Sequence, residues 1–306
     1  MNIAMVGLGK MGANMVTRLL KGGHEVVAFD LREEAIAKAE GEGATGARTL
    51  EEIAEKMDAP RVVWVMVPSG KPTEDTVFKL AEILDEGDTI IDGGNTFYKD
   101  TVRRGTVLKD EGLHYVDVGT SGGVWGLTEG YSMMVGGADE AVTPLTPILE
   151  TLAPAADKGW GHVGPSGSGH FVKMVHNGIE YGLMQAYAEG FDLMDNKTEF
   201  ELDLHQISQI WQYGSVVRSW LLDLTENALS ENPTLEGIEA YVPDSGEGRW
   251  TVMEAVELAT NIPVISLALQ NRFRSRDDDP FSDKLLSAMR NQFGGHAIKR
   301  TDDKKG

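Results

Sequence analysis

Residues 173–181 read KMVHNGIEY. Wound as a helix at about 100° per residue, Lys173, Asn177 and Glu180 fall within an arc of roughly 60°, with His176 beside them. A lysine, an amide and a carboxylate on one stripe have two readings. On a solvated face they simply meet water; against a ligand they can bind it and move its protons. Lys173 and Glu180 lie about 10.5 Å apart along an ideal helix axis, too far for the i, i+4 spacing of a helix-face ion pair. That distance suits two groups reaching toward different carbons of one small ligand. The helix opens with GSGHF, small enough to approach another backbone, and continues GLMQAYAEGF, too apolar for an exposed surface. An active site is the sharper expectation.

A second set of residues has the spacing of a nucleotide site. Gly7-x-Gly9-x-x-Gly12 follows an apolar run, NIAMV, and opens a helical pattern. In that context Gly7 allows the tight turn, Gly9 the approach of a pyrophosphate, and Gly12 close packing of helix on sheet. Leu8, Lys10 and Met11 complete the loop, whose N–H groups face the phosphates. Asp30 ends the next apolar run, 23 residues after Gly7, where a carboxylate accepts hydrogen bonds from ribose hydroxyls and repels a 2′-phosphate. NAD is therefore expected; Arg32, two residues on, leaves NADP possible. Val67, Pro68 and Ser69 end a third apolar run and Asn95 follows a fourth, in DGGN. Both turns lie at the carboxyl ends of strands, where open α/β sheets bind ligands. Asn95 can hydrogen-bond both nicotinamide and substrate, whereas the first turn could be structural only.

These residues need elements to hold them. In the first half, apolar runs alternate with helical patterns, and RVVWVMVP is apolar throughout, as a strand buried on both faces should be. The rhythm predicts a Rossmann-type, doubly wound sheet. From about Ser168 helical patterns dominate, over 168–195, 203–229, 249–260, 263–275 and 281–290. The expected organisation is an α/β dinucleotide-binding domain over 1–166, an all-α domain for substrate and oligomerisation over 167–298, and a polar tail over 299–306.

Composition narrows the partners. The chain has 306 residues, no cysteine, and 28 Lys+Arg against 48 Asp+Glu, a net charge of −20. Such a surface repels nucleic acid and anionic membranes. Without cysteine there is no thiolate metal site and no cysteine nucleophile. No signal-peptide pattern and no long apolar run is present, so a cytoplasmic protein is expected. The acid is dispersed along the chain, as in proteins adapted to concentrated salt, where screening removes self-repulsion. An anionic ligand would need a local basic pocket.

Taken together, GLGKMG, DGGN, TSGGVWGLTEG, KMVHNGIEY and RNQFGGH resemble the 6-phosphogluconate dehydrogenase family, in its short form with one compact helical domain; the last three in combination are highly specific. The resemblance runs from Met1 to about Lys299 and implies oxidative decarboxylation of 6-phosphogluconate to ribulose 5-phosphate and CO₂, in the oxidative pentose phosphate pathway. It makes Lys173 the general base on the 3-hydroxyl, which requires a neutral amine, and Glu180 the acid that protonates C1 of the enediol. It makes Ser121, Gly122 and Gly123 contacts to the substrate carboxylate and hydroxyls, and His176, Asn177 and Tyr181 further substrate contacts. No metal is implied. Arg274, Arg290 and His296 match the phosphate ligands; the last two come from a neighbour's C-terminal tail in the family, which implies a homo-oligomer, dimer or tetramer. Where long forms place a phosphate-contacting lysine stands Ser245, with Arg249 a possible substitute. Two rivals remain: a β-hydroxyacid dehydrogenase of the 3-hydroxyisobutyrate or tartronate semialdehyde type, and a non-catalytic NAD-binding protein. The first needs neither the enol-protonating acid nor the phosphate ligands; the second would tolerate loss of Lys173 or Glu180.

Overall fold

The computed structural model describes residues 1–300; all but 299 and 300 of the expected polar tail lies outside them. Eight strands form one sheet: β1 (Asn2–Val6), β2 (Glu25–Phe29), β3 (Thr45–Gly46), β4 (Val62–Val65), β5 (Thr89–Asp92), β6 (His114–Ser121), β7 (Ser132–Gly136) and β8 (Trp160–Gly164). Their order is β3-β2-β1-β4-β5-β6-β7-β8. The first six follow the Rossmann order, parallel throughout, with β7 antiparallel to β6 and parallel to β8. β4 and β5 are buried at every position, so their β-branched and aromatic side chains feed two cores, one on each sheet face. Each fully buried Val or Ile contributes about 1.5–3 kcal/mol.

The described chain forms two compact units, Met1–Ile179 with Glu247–Glu254, and Glu180–Gly246 with the chain from Ala255 on. The division falls inside one unbroken helix, Ser168–Asp195. In the second unit the predicted helix over 203–229 is two helices, Leu204–Trp211 and Trp220–Glu231. Gly214 takes φ +72° between them, and Ser219 caps the second by accepting from the Leu222 amide at 3.1 Å. Phe191, Leu222 and Leu229 form this unit's core.

The start of the long helix is fastened to the sheet by bare backbone. A Cβ on Gly119 of β6 would lie 2.4 Å from Lys173 Cβ and 2.6 Å from the Gly169 carbonyl; one on Gly169 would lie 2.4 Å from the Met134 carbonyl. No side chain fits between strand and helix. Asp117, wholly buried on β6, accepts from the Gly167 amide at 2.6 Å and the His170 amide at 2.9 Å. It thereby satisfies amide donors that a helix start leaves unpaired and complements its dipole. On another side of the helix, Thr251 donates to the Met174 carbonyl at 2.8 Å. Asp117→Ala strands two buried amides at about 1–3 kcal/mol each. Thermal unfolding followed by circular dichroism should show the midpoint falling by roughly 5 °C or more; an unchanged midpoint would mean that Asp117 does not fasten the helix.

Candidate active site

The glycine loop is constrained at its two ends and open in the middle. Gly7 has φ +100°, and a Cβ there would sit 2.5 Å from the Met66 carbonyl; one on Gly12 would sit 2.0 Å from the Gly7 carbonyl. A Cβ on Gly9 would meet no other part of the chain within 4 Å. The helix Lys10–Lys21 that follows has no side-chain cap and no acid in its first turn. Asp30 Oδ2 accepts from the Leu8 amide at 2.7 Å, and Oδ1 from the Arg32 amide at 2.9 Å and Nε at 3.2 Å. Arg32 Nη2 also donates to the Leu8 carbonyl at 3.3 Å.

A cavity of about 920 Å³ runs along the carboxyl ends of the strands. Gly7, Gly9, Met11, Gly12, Asp30, Arg32, Val67, Pro68, Ser69 and Asn95 line it. Leu8 and Lys10 do not; they line an adjacent cavity of about 440 Å³ with Gly9 and Arg32. Thr76 and Thr120 also line the larger one; Thr120 opens the TSGGVWGLTEG motif without having been singled out in it, and Thr76 lies in no motif.

In the same unit, Lys173 and Asn177 are 7% and 8% exposed, so the stripe is not a solvated face. Lys173 Nζ donates to Asn177 Oδ1 at 2.6 Å, and His176 Nδ1 lies 3.0 Å from the same oxygen. Ser121 ends β6, two residues past Gly119, on which Lys173 packs. Gly122 and Gly123 follow with φ +125° and +52°, a left-handed turn that only glycine makes without strain.

In the second unit, Glu180 is half-buried and Tyr181 buried. The Tyr181 hydroxyl accepts from the Ser245 amide at 3.2 Å, and the Arg272 guanidinium stacks 3.5 Å over its ring. Arg272 was not singled out in the sequence; among the arginines of QNRFRSR, spacing alone does not tell which one meets Tyr181. Arg274 donates to the Asp277 carbonyl at 2.7 Å and pairs with Asp283 at 3.1 Å. Arg290 and His296 are exposed. Arg249, the possible substitute for the missing lysine, lies in helix Glu247–Glu257, on the part that belongs to the first unit.

Residues 2–162 match the family model of the NAD binding domain of 6-phosphogluconate dehydrogenase, and residues 169–280 and 195–306 match that of the 6-phosphogluconate dehydrogenase C-terminal domain. The chain belongs to the 6-phosphogluconate dehydrogenase family. An NAD(+)-dependent, decarboxylating 6-phosphogluconate dehydrogenase of Haloferax volcanii is 43% identical over 99% of this chain and 100% of its own length. The solved 6-phosphogluconate dehydrogenase of Plasmodium falciparum is 28% identical, with a TM-score of 0.83 over 98% of this chain and 67% of that one. A 3-hydroxyisobutyrate dehydrogenase of Mycobacterium tuberculosis shares the fold, at 23% identity and a TM-score of 0.73 over 90% of this chain and 94% of that one.

Residues 2–162, within the first unit, are thus an NAD-binding domain, and these residues fit a dinucleotide. The space at Gly9 would be filled by any side chain, the helix behind it offers uncapped amides to phosphate, and Asp30 stands at the end of β2. Burial pushes the Asp30 carboxyl up, but the Arg32 and Leu8 amides and the Arg32 guanidinium outweigh it and hold the group below its ordinary value. A depressed carboxylate contributes stability that is present above its ordinary value and lost as pH falls through the lowered one. Asp30→Ala should raise the Kd for NAD about tenfold or more, given what hydrogen bonds to a charged group contribute. The gap from wild type should stay constant between about pH 8 and 5, because the carboxylate remains ionised there. Fluorescence titration with NADH measures both, and an unchanged Kd would remove Asp30 from the cofactor site.

Proposed function

We propose that this protein catalyses the oxidative decarboxylation of 6-phosphogluconate to ribulose 5-phosphate and CO₂ with reduction of NAD, a reaction of oxidative pentose phosphate metabolism. One observation carries the reading: a single helix bears a buried lysine, hydrogen-bonded to an amide one turn on, and a half-buried glutamate seven residues along. The Haloferax relative's name, NAD(+)-dependent and decarboxylating, supports it.

In this reading the 1–166 domain holds the cofactor and the 167–298 domain the substrate. Asn95 and the Ser121-Gly122-Gly123 turn orient the sugar acid, with His176 and Asn177 on its hydroxyls. When bound, the nicotinamide accepts hydride from C3. The Lys173 amine, neutral at this step, takes the 3-hydroxyl proton. The β-keto acid then loses CO₂ with its own carbonyl as electron sink, and the Lys173 ammonium stabilises the enolate oxygen. Glu180 delivers a proton to C1. Asn177 Oδ1 accepts from the lysine in either protonation state, so it holds the nitrogen in place through the cycle. Asp30 favours NAD, and Arg32, with its guanidinium on Asp30 and the Leu8 carbonyl, is engaged at that carboxylate.

Tyr181 is a further substrate contact, and Arg274, Arg290 and His296 bind the 6-phosphate, the last two from a second copy in a homo-oligomer, dimer or tetramer. The helix bearing Arg290 exposes Phe281, Leu285, Leu286 and Met289, an apolar stripe suited to such a contact. Among the described residues no helix is long and apolar enough to cross a membrane, and we place the enzyme in the cytoplasm. The dispersed charge of −20 suits a salt-rich medium.

Absorbance at 340 nm with 6-phosphogluconate, NAD and NADP in parallel, in dilute buffer and molar KCl, tests the reading. NAD reduction matched by CO₂ is expected. Turnover of a non-phosphorylated hydroxy acid instead would favour a β-hydroxyacid dehydrogenase, and no turnover at all a binding protein. Lys173→Met should lower kcat by about 10³-fold or more while the Kd for NAD stays within about threefold. Glu180→Gln should release 3-keto or enediol-derived product out of step with NADH. Full activity in either variant would sink the mechanism.

A further inference from the structure

The DGGN turn begins at a carboxylate that the mechanism above does not use. Asp92, the last residue of β5, is wholly buried. Its Oδ1 accepts from the Gly94 amide at 3.1 Å; its Oδ2 accepts from Thr96 Oγ1 at 2.9 Å, the Tyr115 hydroxyl at 2.9 Å and Arg104 Nη1 at 3.5 Å. Arg104 is itself 1% exposed, and its Nε donates to Glu74 at 2.6 Å. Glu74 stands in the first turn of helix Lys71–Ala81, which directly follows the Val67-Pro68-Ser69 turn. One residue before it, Thr73 Oγ1 donates to the Pro68 carbonyl at 2.9 Å. The two turns also touch: a Cβ on Gly94 would lie 3.2 Å from the Val67 carbonyl, while one on Gly93 would lie only 2.1 Å from Nε1 of Trp64 in β4. Both turns line the 920 Å³ cavity.

A buried carboxylate–guanidinium pair is a poor choice for stability alone, since apolar side chains of similar volume often serve as well or better. What it supplies is direction: four donors in fixed positions on one carboxylate permit one conformation of the turn. We propose that Asp92 and Arg104 are positioning residues that lock the Gly93-Gly94-Asn95 turn to the Val67–Ser69 turn, and so aim Asn95 at the nicotinamide end of the cofactor. The proposal rests on the reading of Asn95 as a cofactor and substrate contact. Burial and the Asp92 charge push the Tyr115 phenol well above its ordinary value, so it remains a donor to Asp92 at working pH.

The test is a double-mutant cycle in the full-length protein, reading KM for NAD, kcat and the melting midpoint for Asp92→Asn, Asn95→Ala and the pair. Each single variant should lower kcat/KM for NAD by about tenfold or more, and the pair should be no worse than the poorer single within about twofold. Asp92→Asn should lower the midpoint equally in both backgrounds. A midpoint loss with kcat/KM within about twofold of wild type would make Asp92 purely structural. Multiplying effects in the pair would show that it does not act through Asn95; either result overturns the proposal. Asn95→Ala indistinguishable from wild type would overturn the reading of Asn95, and the proposal with it, through a different variant. Should Asp92→Asn fail to fold, Tyr115→Phe removes one donor at nearly constant volume, and the same cycle applies with a loss of about threefold; kinetics unchanged there would also overturn the proposal.

Discussion

Everything chemical in the first unit depends on how closely the long helix approaches the sheet. Gly119, Gly136 and Gly169 leave no side chain between them, and Asp117 ties the first turn of the helix to β6 through two amides. Lys173 follows one turn later and packs on Gly119, two residues before the Ser121-Gly122-Gly123 turn. With a side chain in place of Gly119, Lys173 could not pack this closely on β6 beside the Ser121-Gly122-Gly123 turn. Helix packing thus fixes the lysine's position, and Asn177, one turn further on, fixes its direction.

The same economy appears on the cofactor side. Asp30 binds its own loop through the Leu8 amide while standing where a ribose would be read, so one carboxylate ties the glycine turn to β2 and shapes the cavity. The wholly buried Asp117, within β6, and Asp92, at the end of β5, work similarly. In a chain of net charge −20 most acids meet water. These are different: each is surrounded by amide, hydroxyl or guanidinium donors, which offset the desolvation of a buried charge.

Much of this was legible in the sequence because several demands met at single positions. At Gly7 and Gly12 a positive φ or a 2 Å approach excludes every other residue, and the all-apolar run of β4 admits only a strand buried on both faces. The stripe of Lys173, Asn177 and Glu180 stood out because its flanks were too apolar for a surface. Other features had no local signature. β7 and β8 are broken by glycines that blur their alternation, β3 is two residues long, and the helical pattern over 203–229 concealed the stop at Gly214. Asp117 and Asp92 carried no local signal; their roles depend on partners 50 and 23 residues away, which no short window contains. Arg272 was invisible for a similar reason: its stacking on Tyr181 depends on the loop that brings Ser245 to the tyrosine hydroxyl.

The most direct measurement is the turnover of Gly119→Ala, taken together with its NAD affinity and circular dichroism. An added methyl pushes Lys173 and the helix away from β6 while leaving the glycine loop and Asp30 untouched. The expected result is a folded protein with an NAD Kd within about threefold of wild type and a kcat lowered by about 100-fold, the scale of loss that an ångström of misplacement brings. A folded Gly119→Ala variant with a wild-type kcat would contradict the claim that the closeness of helix to strand is what places Lys173, the proposed general base.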